Sequence, residues 1–84
     1  MYSLEFKKQA IKDLKKLPKP VQEEILKKLD FYLSANKPLF FATRLINYEL
    51  GEYRFRVGNY RVIFDVFEEK IIILTIGHRR DIYK

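Results

Sequence analysis

Five of this chain's arginines fall in three short stretches, and their spacing sets out a candidate phosphate-handling surface. Arg54 and Arg56 lie in Tyr53-Arg54-Phe55-Arg56-Val57, Arg61 in Tyr60-Arg61-Val62-Ile63-Phe64, and Arg79 and Arg80 in Gly77-His78-Arg79-Arg80-Asp81-Ile82-Tyr83. The first two runs alternate with the period of a strand. Gly58-Asn59 between them signals a two-residue hairpin loop, because glycine takes positive φ at the first loop position without steric cost. In that register Val57 pairs with Tyr60, Phe55 with Val62 and Arg56 with Arg61, and Arg54 shares their face. Like charges placed directly across a strand pair are destabilising, so selection for stability alone would avoid this pairing. An anion between the two arginines removes the repulsion, and the forked guanidinium suits phosphate. The competing reading is a structural ion-pair network in which Asp65 and a glutamate neutralise the cluster.

The end of the chain adds to this face. A turn at Glu68-Glu69-Lys70 brings Ile76 to Arg79 back alongside Arg61, so Arg79, Arg80 and Tyr83 should emerge beside the arginines and close on one phosphate-sized concavity. Tyr83 offers a ring for stacking a base and a phenol for hydrogen bonding; alternatively it is a tail aromatic tucked into the core. His78, the only histidine, is open to acid–base work or to plain packing at a strand end. One histidine and no cysteine make no metal site, and no cofactor is expected. No Ser/His/Asp arrangement, phosphate-binding glycine loop or paired-carboxylate site stands out.

The elements that must carry these residues follow from periodicity. Tyr2 to Phe6 alternates as a short strand. Lys7 to Leu17 carries Ala10, Ile11, Leu14 and Leu17 at helical spacing, and Pro18 and Pro20 break it. A second helix starts near Pro20, with Val21, Ile25, Leu29, Tyr32 and Leu33 as its buried stripe, Asn36 as a left-handed stop and Pro38 barring continuation. Thr43 to Leu50 either pairs with the sheet or stays irregular. Ile71 to Ile76 is apolar at nearly every position, as expected of a strand inside a sheet. The order β-α-α-β-β-β predicts an α+β fold: a two-helix hairpin on a mostly antiparallel sheet of about four strands, with a short C-terminal tail.

Length and composition bound the rest. Eighty-four residues with 48% hydrophobic content make one domain, residues 1–84, around one core. Without cysteine there is no disulfide framework or thiolate chemistry. No apolar run is long enough to span a bilayer, and the N-terminus lacks a signal-peptide layout, so a cytoplasmic protein with no membrane partner is expected. A net charge of +6 favours polyanions, although lysine-rich helices also serve solubility alone.

Tyr53 to Phe64 resembles the central hairpin of the RelE/ParE toxins. Ile76 to Tyr83 resembles their Gly-His-Arg-Arg-acidic-aliphatic-Tyr terminus, and Tyr2 to Leu17 fits their opening strand and helix. The resemblance covers essentially the whole chain. It implies the toxin of a type II toxin–antitoxin pair, with a cognate RelB-like antitoxin protein as partner. In the RelE-like branch the toxin enters the ribosome and cuts mRNA without a metal, the 2′-hydroxyl attacking the neighbouring phosphate to leave a 2′,3′-cyclic phosphate. Arg61, Arg79 and Tyr83 then match the catalytic group, and Arg54, Arg56, Arg80 and His78 line the RNA phosphates. Arg54 and Arg56 stand where some RelE-like enzymes carry lysine. Arginine does not readily give up its proton, which leaves Tyr83, His78 or Arg79 to handle protons. The ParE branch poisons DNA gyrase without cutting RNA, and there the arginines would be a protein-contact surface; a plain nucleic-acid-binding module is a third reading. Arg79 and Tyr83 point to the RelE branch.

Overall fold

The computed structural model describes residues 1–35, 37–46 and 49–83. In chain order these form β1 (Ser3–Phe6), α1 (Lys8–Lys15), α2 (Lys19–Ser34), a 3₁₀ turn (Pro38–Phe41), β2 (Ala42–Arg44), β3 (Tyr53–Val57), β4 (Tyr60–Phe67) and β5 (Lys70–His78). Pro18 caps α2 and Pro20 sits in its first turn, where the missing N–H has no helical partner to lose. Pro38 opens the 3₁₀ turn, and Asn36, the expected stop, lies outside the described residues. On α2, Ile25, Leu29 and Tyr32 are buried as their spacing requires, with Val21 and Leu33 packed at the margin. On α1 the inward residues are Ala10 and Leu14, followed just past the helix by Leu17; Ile11 lies about one helical step off them and is 40% exposed.

The described residues form a five-stranded sheet in the order β1-β5-β4-β3-β2, one strand more than expected. The addition is β2, three residues pairing Ala42 with Phe55 and Arg44 with Tyr53, too short for alternation to show in the sequence. The sheet is mixed: β1 runs parallel to β5, and the other neighbours are antiparallel. With β1 on one side and β4 on the other, β5 is an inner strand, which accounts for its nearly continuous apolar run. Past Phe6, where β1 stops, α1 takes over the edge. Lys7 N–H donates to the Ile73 carbonyl at 2.9 Å, and the Asp13 carboxylate accepts the Thr75 hydroxyl at 2.6 Å and Ile76 N–H at 3.0 Å.

Both helices cover one face of the sheet. The core there is an aromatic ladder, with Phe64 stacked on Phe55 at 4.3 Å, Phe55 on Tyr32 at 4.6 Å and Tyr32 on Phe41 at 4.9 Å between ring centres. The opposite face is divided. Over Ile63 and Leu74 the β2–β3 connection folds so closely that a Cβ on Gly51 would lie 2.7 Å from Ile63 Cγ2 and 2.9 Å from Leu74 Cδ1. Glycine is therefore needed at 51, and Ile63 is fully buried although it lies outside the helix-side core. The other half carries Arg54, Arg56 and Arg61.

Candidate functional site

The hairpin register is the one its loop dictates. Val57 pairs with Tyr60, Phe55 with Val62 and Arg56 with Arg61, and Gly58 supplies the positive φ of +59° at the first loop position. Arg61 is the inner member of the pair, 7% exposed, while Arg56 is open to solvent. Arg61 Nη1 donates to the carbonyls of Gly58 at 3.0 Å and Tyr60 at 2.9 Å, so the turn itself aims the guanidinium. Burial, and then the charges of Arg56, Arg54 and Arg79, push Arg61 below the usual arginine value, while Tyr83 acts in the opposite sense. Among the described residues no ion pair joins a carboxylate to Arg54, Arg56, Arg61, Arg79 or Arg80. Asp65 instead accepts Glu52 N–H at 2.9 Å, holding the connection that covers Ile63. Among the described residues, then, no carboxylate is ion-paired with the cluster, the condition that makes a phosphate welcome.

The tail arrives where the strand pairing puts it. Gly77 pairs with Arg61 and His78 with Tyr60, and Arg79 N–H donates to the Asn59 carbonyl at 2.8 Å, carrying the strand contact one residue past β5. The chain then turns back: Asp81 N–H at 2.9 Å and Ile82 N–H at 3.0 Å share the His78 carbonyl, and Arg80 N–H donates to His78 Nδ1 at 3.1 Å. That turn delivers Tyr83 to Arg54, whose Nη1 donates to the phenol oxygen at 2.8 Å with the guanidinium carbon 5.9 Å from the ring centre. Tyr83 is 44% exposed, not tucked into the core.

The structure thus brings Arg54, Arg56, Arg61, Arg79 and Tyr83 to one face. Arg80 is exposed on the tail, with its backbone tied to His78. The His78 ring lies edge-on to Tyr60, 5.3 Å between ring centres. The arginines line none of the cavities described; one of about 510 Å³ is lined by residues that include Met1, Tyr2, Asp30 and Glu69, whose carboxylates repel phosphate. Along the hairpin Arg56 is exposed, Arg54 half-buried and Arg61 buried, so the cluster grades from solvent into the sheet. Sequence reasoning missed Gly51 and the carbonyls of Gly58, Tyr60 and Asn59, since backbone acceptors carry no side-chain signal. No helix among the described residues is long and apolar enough to cross a membrane.

Two helices on one face of a small mixed sheet, with a cationic hairpin and a tail tyrosine on the other, define a RelE-type toxin fold. The chain matches the ParE toxins of type II toxin–antitoxin systems over residues 4–83, and it belongs to that family, within the RelE/ParE superfamily. It is 30% identical over 77 residues to the mRNA interferase toxin RelE of Escherichia coli strain K12, covering 90% of this chain and 79% of that one. To toxin RelE3 of Methanocaldococcus jannaschii it is 32% identical over 80 residues, covering 93% of this chain and 91% of that one. The crystal structure of the RelBE2 toxin–antitoxin complex of Mycobacterium tuberculosis superposes with a TM-score of 0.80 at 28% identity, covering 93% of this chain and 98% of that chain.

Proposed function

We propose that this toxin is an endoribonuclease that cuts mRNA on the ribosome and so stops translation. The observation that carries this reading is the opposed pair Arg56 and Arg61, uncompensated by any carboxylate of the described residues, with the Tyr83 phenol hydrogen-bonded to Arg54 beside them. The name mRNA interferase, borne by a relative of 30% identity, supports the same chemistry.

In this reaction the 2′-oxygen of one nucleotide bonds to the adjacent phosphorus as the P–O5′ bond breaks, leaving a 2′,3′-cyclic phosphate and a free 5′-hydroxyl. Arg61 holds the phosphate from the turn, and Arg54 and Arg56 stabilise the added charge as the five-coordinate phosphorus forms. These guanidiniums keep their protons at any working pH, so the 2′-hydroxyl proton is relayed through Tyr83: the phenol oxygen that accepts from Arg54 takes it up as the phenol gives its own proton to water. Arg79, next to the hairpin tip, stabilises the charge on the departing 5′-oxygen, which takes its proton from water to become the 5′-hydroxyl. The phosphate charge is met by arginines throughout, and no metal enters the scheme. Arg80, on the tail turn, binds a flanking phosphate.

The open face supports ribosome dependence. The exposed Arg56, Arg79 and Arg80 can grip a phosphate but do not by themselves orient the nucleotides on either side, and in-line attack depends on orientation. A second surface, the ribosome, supplies the missing constraint, which places the toxin in the cytoplasm. The partner in the resting cell is a cognate RelB-like antitoxin, as in the solved toxin–antitoxin complexes of similar fold.

Primer extension on mRNA in a purified translation reaction, with and without ribosomes, tests this. Cuts that depend on both ribosome and toxin are expected. Intact mRNA together with trapped gyrase–DNA complexes would favour the gyrase-directed reading of the ParE name instead.

A further inference from the structure

The tail has to be shaped before Tyr83 can work, and one residue accepts most of the hydrogen bonds that shape it. Each backbone N–H from residue 79 to 82 has an acceptor. Arg79 uses Asn59, Asp81 and Ile82 use the His78 carbonyl, and Arg80 uses the imidazole Nδ1 of His78. His78 therefore accepts three of the four, two through its carbonyl and one through its ring. A side-chain acceptor at position i taking the N–H of residue i+2 is the geometry by which asparagine and aspartate build an Asx turn. Nδ1 of histidine is the atom that corresponds to asparagine Oδ1.

Two neighbours hold the imidazole and the turn in place. Tyr60, directly across the strand pair, meets the His78 ring edge-on at 5.3 Å and 80°. Ile82 folds back over Gly77, where a Cβ would come 3.1 Å from Ile82 Cδ1, so a side chain there would make Ile82 give by a few tenths of an ångström. With Nδ1 accepting, the single proton of the neutral ring sits on Nε2.

We propose that His78 is a positioning residue: it caps the tail turn through Nδ1 and so sets Tyr83 on Arg54, taking no part in proton transfer itself. For its activity readout this rests on the ribonuclease reading; its structural readout is independent. The chemistry separates capping from acid–base work because asparagine can cap but cannot titrate, whereas alanine can do neither.

The test compares wild-type toxin with His78→Ala and His78→Asn, each confirmed folded by its thermal transition. Amide hydrogen exchange of Arg80 in the isolated toxin reads the cap, and single-turnover cleavage of ribosome-bound mRNA reads Tyr83. His78→Ala should unprotect the Arg80 amide and slow cleavage by roughly ten- to a hundredfold with KM little changed, the size expected of a misplaced reacting group. His78→Asn should restore both the protection and most of the rate. Restored protection with cleavage as slow as in His78→Ala would overturn the proposal and make the imidazole a chemical participant. Retained protection in His78→Ala would overturn the cap directly. If wild-type toxin cuts no mRNA at all, the ribonuclease reading fails, while Arg80 protection and its rescue by asparagine still decide the cap.

Discussion

Arg56 and Arg61 face each other across the β3–β4 hairpin, with Arg61 buried and tied to the turn carbonyls of Gly58 and Tyr60. The pairing opposes folding twice, through like-charge repulsion and through desolvation of the inner guanidinium. Since Arg61 keeps its proton at any working pH, this cost is constant with pH and is relieved by an anion. Strain of this kind gathers where a ligand is to be met.

Arg56→Gln should therefore stabilise the toxin by about 0.2–1 kcal/mol while slowing mRNA cleavage. Urea denaturation beside single-turnover kinetics checks both. A destabilised Arg56→Gln would mean that the pair is compensated in solution.

Tyr83 and Arg54 share one hydrogen bond of 2.8 Å, so their contributions should not add. Tyr83→Phe keeps the ring and should slow cleavage on the order of a hundredfold, a typical loss for one acid–base group. Adding Arg54→Ala to it should cost less than the same change in wild type. Fully additive losses in the four-way comparison would show that the hydrogen bond has no part in the reaction.

Binding to a single-stranded RNA oligonucleotide should weaken with salt. Each phosphate contact contributes about 0.7 to the slope of log affinity against log salt, so Arg80→Ala should flatten it by about that amount. An unchanged slope would remove Arg80 from the RNA contacts.

Acid stability turns on Asp13. Burial pushes its carboxyl up, but hydrogen bonds from Thr75, Ile76 and Gln9 and the charge of Lys16 outweigh that and hold it below the ordinary 3.8. A depressed folded value gives stability that is present above 3.8 and lost as pH falls through the lower folded value. Asp13→Asn should cost about 1 kcal/mol near neutral pH, with the difference from wild type shrinking below pH 3.8. A pH-independent difference in melting would show that the charge of Asp13 is not what matters.

Gly51→Ala probes the covered half of the same sheet face. With Ile63 2.7 Å from the new Cβ, a loss of roughly 1–3 kcal/mol is expected, with cleavage per folded molecule unchanged. A melting temperature equal to wild type would mean that the loop yields freely.

Much of this was legible because hairpins are local. Gly58-Asn59 fixes the register of β3 against β4, and register alone puts Arg56 opposite Arg61. The turn at residues 68–70 then carries Arg79 to the hairpin tip. Long-range pairing was harder to read. That β1 lies parallel to β5 depends on which sheet edge the chain returns to, and no local pattern encodes it. The three-residue β2 and the close approach at Gly51 depend on neighbours distant in sequence. His78 was ambiguous for the same reason: its role depends on where Nδ1 points once the tail has turned.

Arg61 is the most direct test of the central claim. Wild-type toxin and Arg61→Ala, matched for folded fraction, are added to programmed ribosomes and the mRNA is mapped by primer extension. The expected result is discrete cuts with wild type and none with Arg61→Ala. Cuts at the wild-type rate by Arg61→Ala would contradict the assignment of this arginine face as the catalytic site.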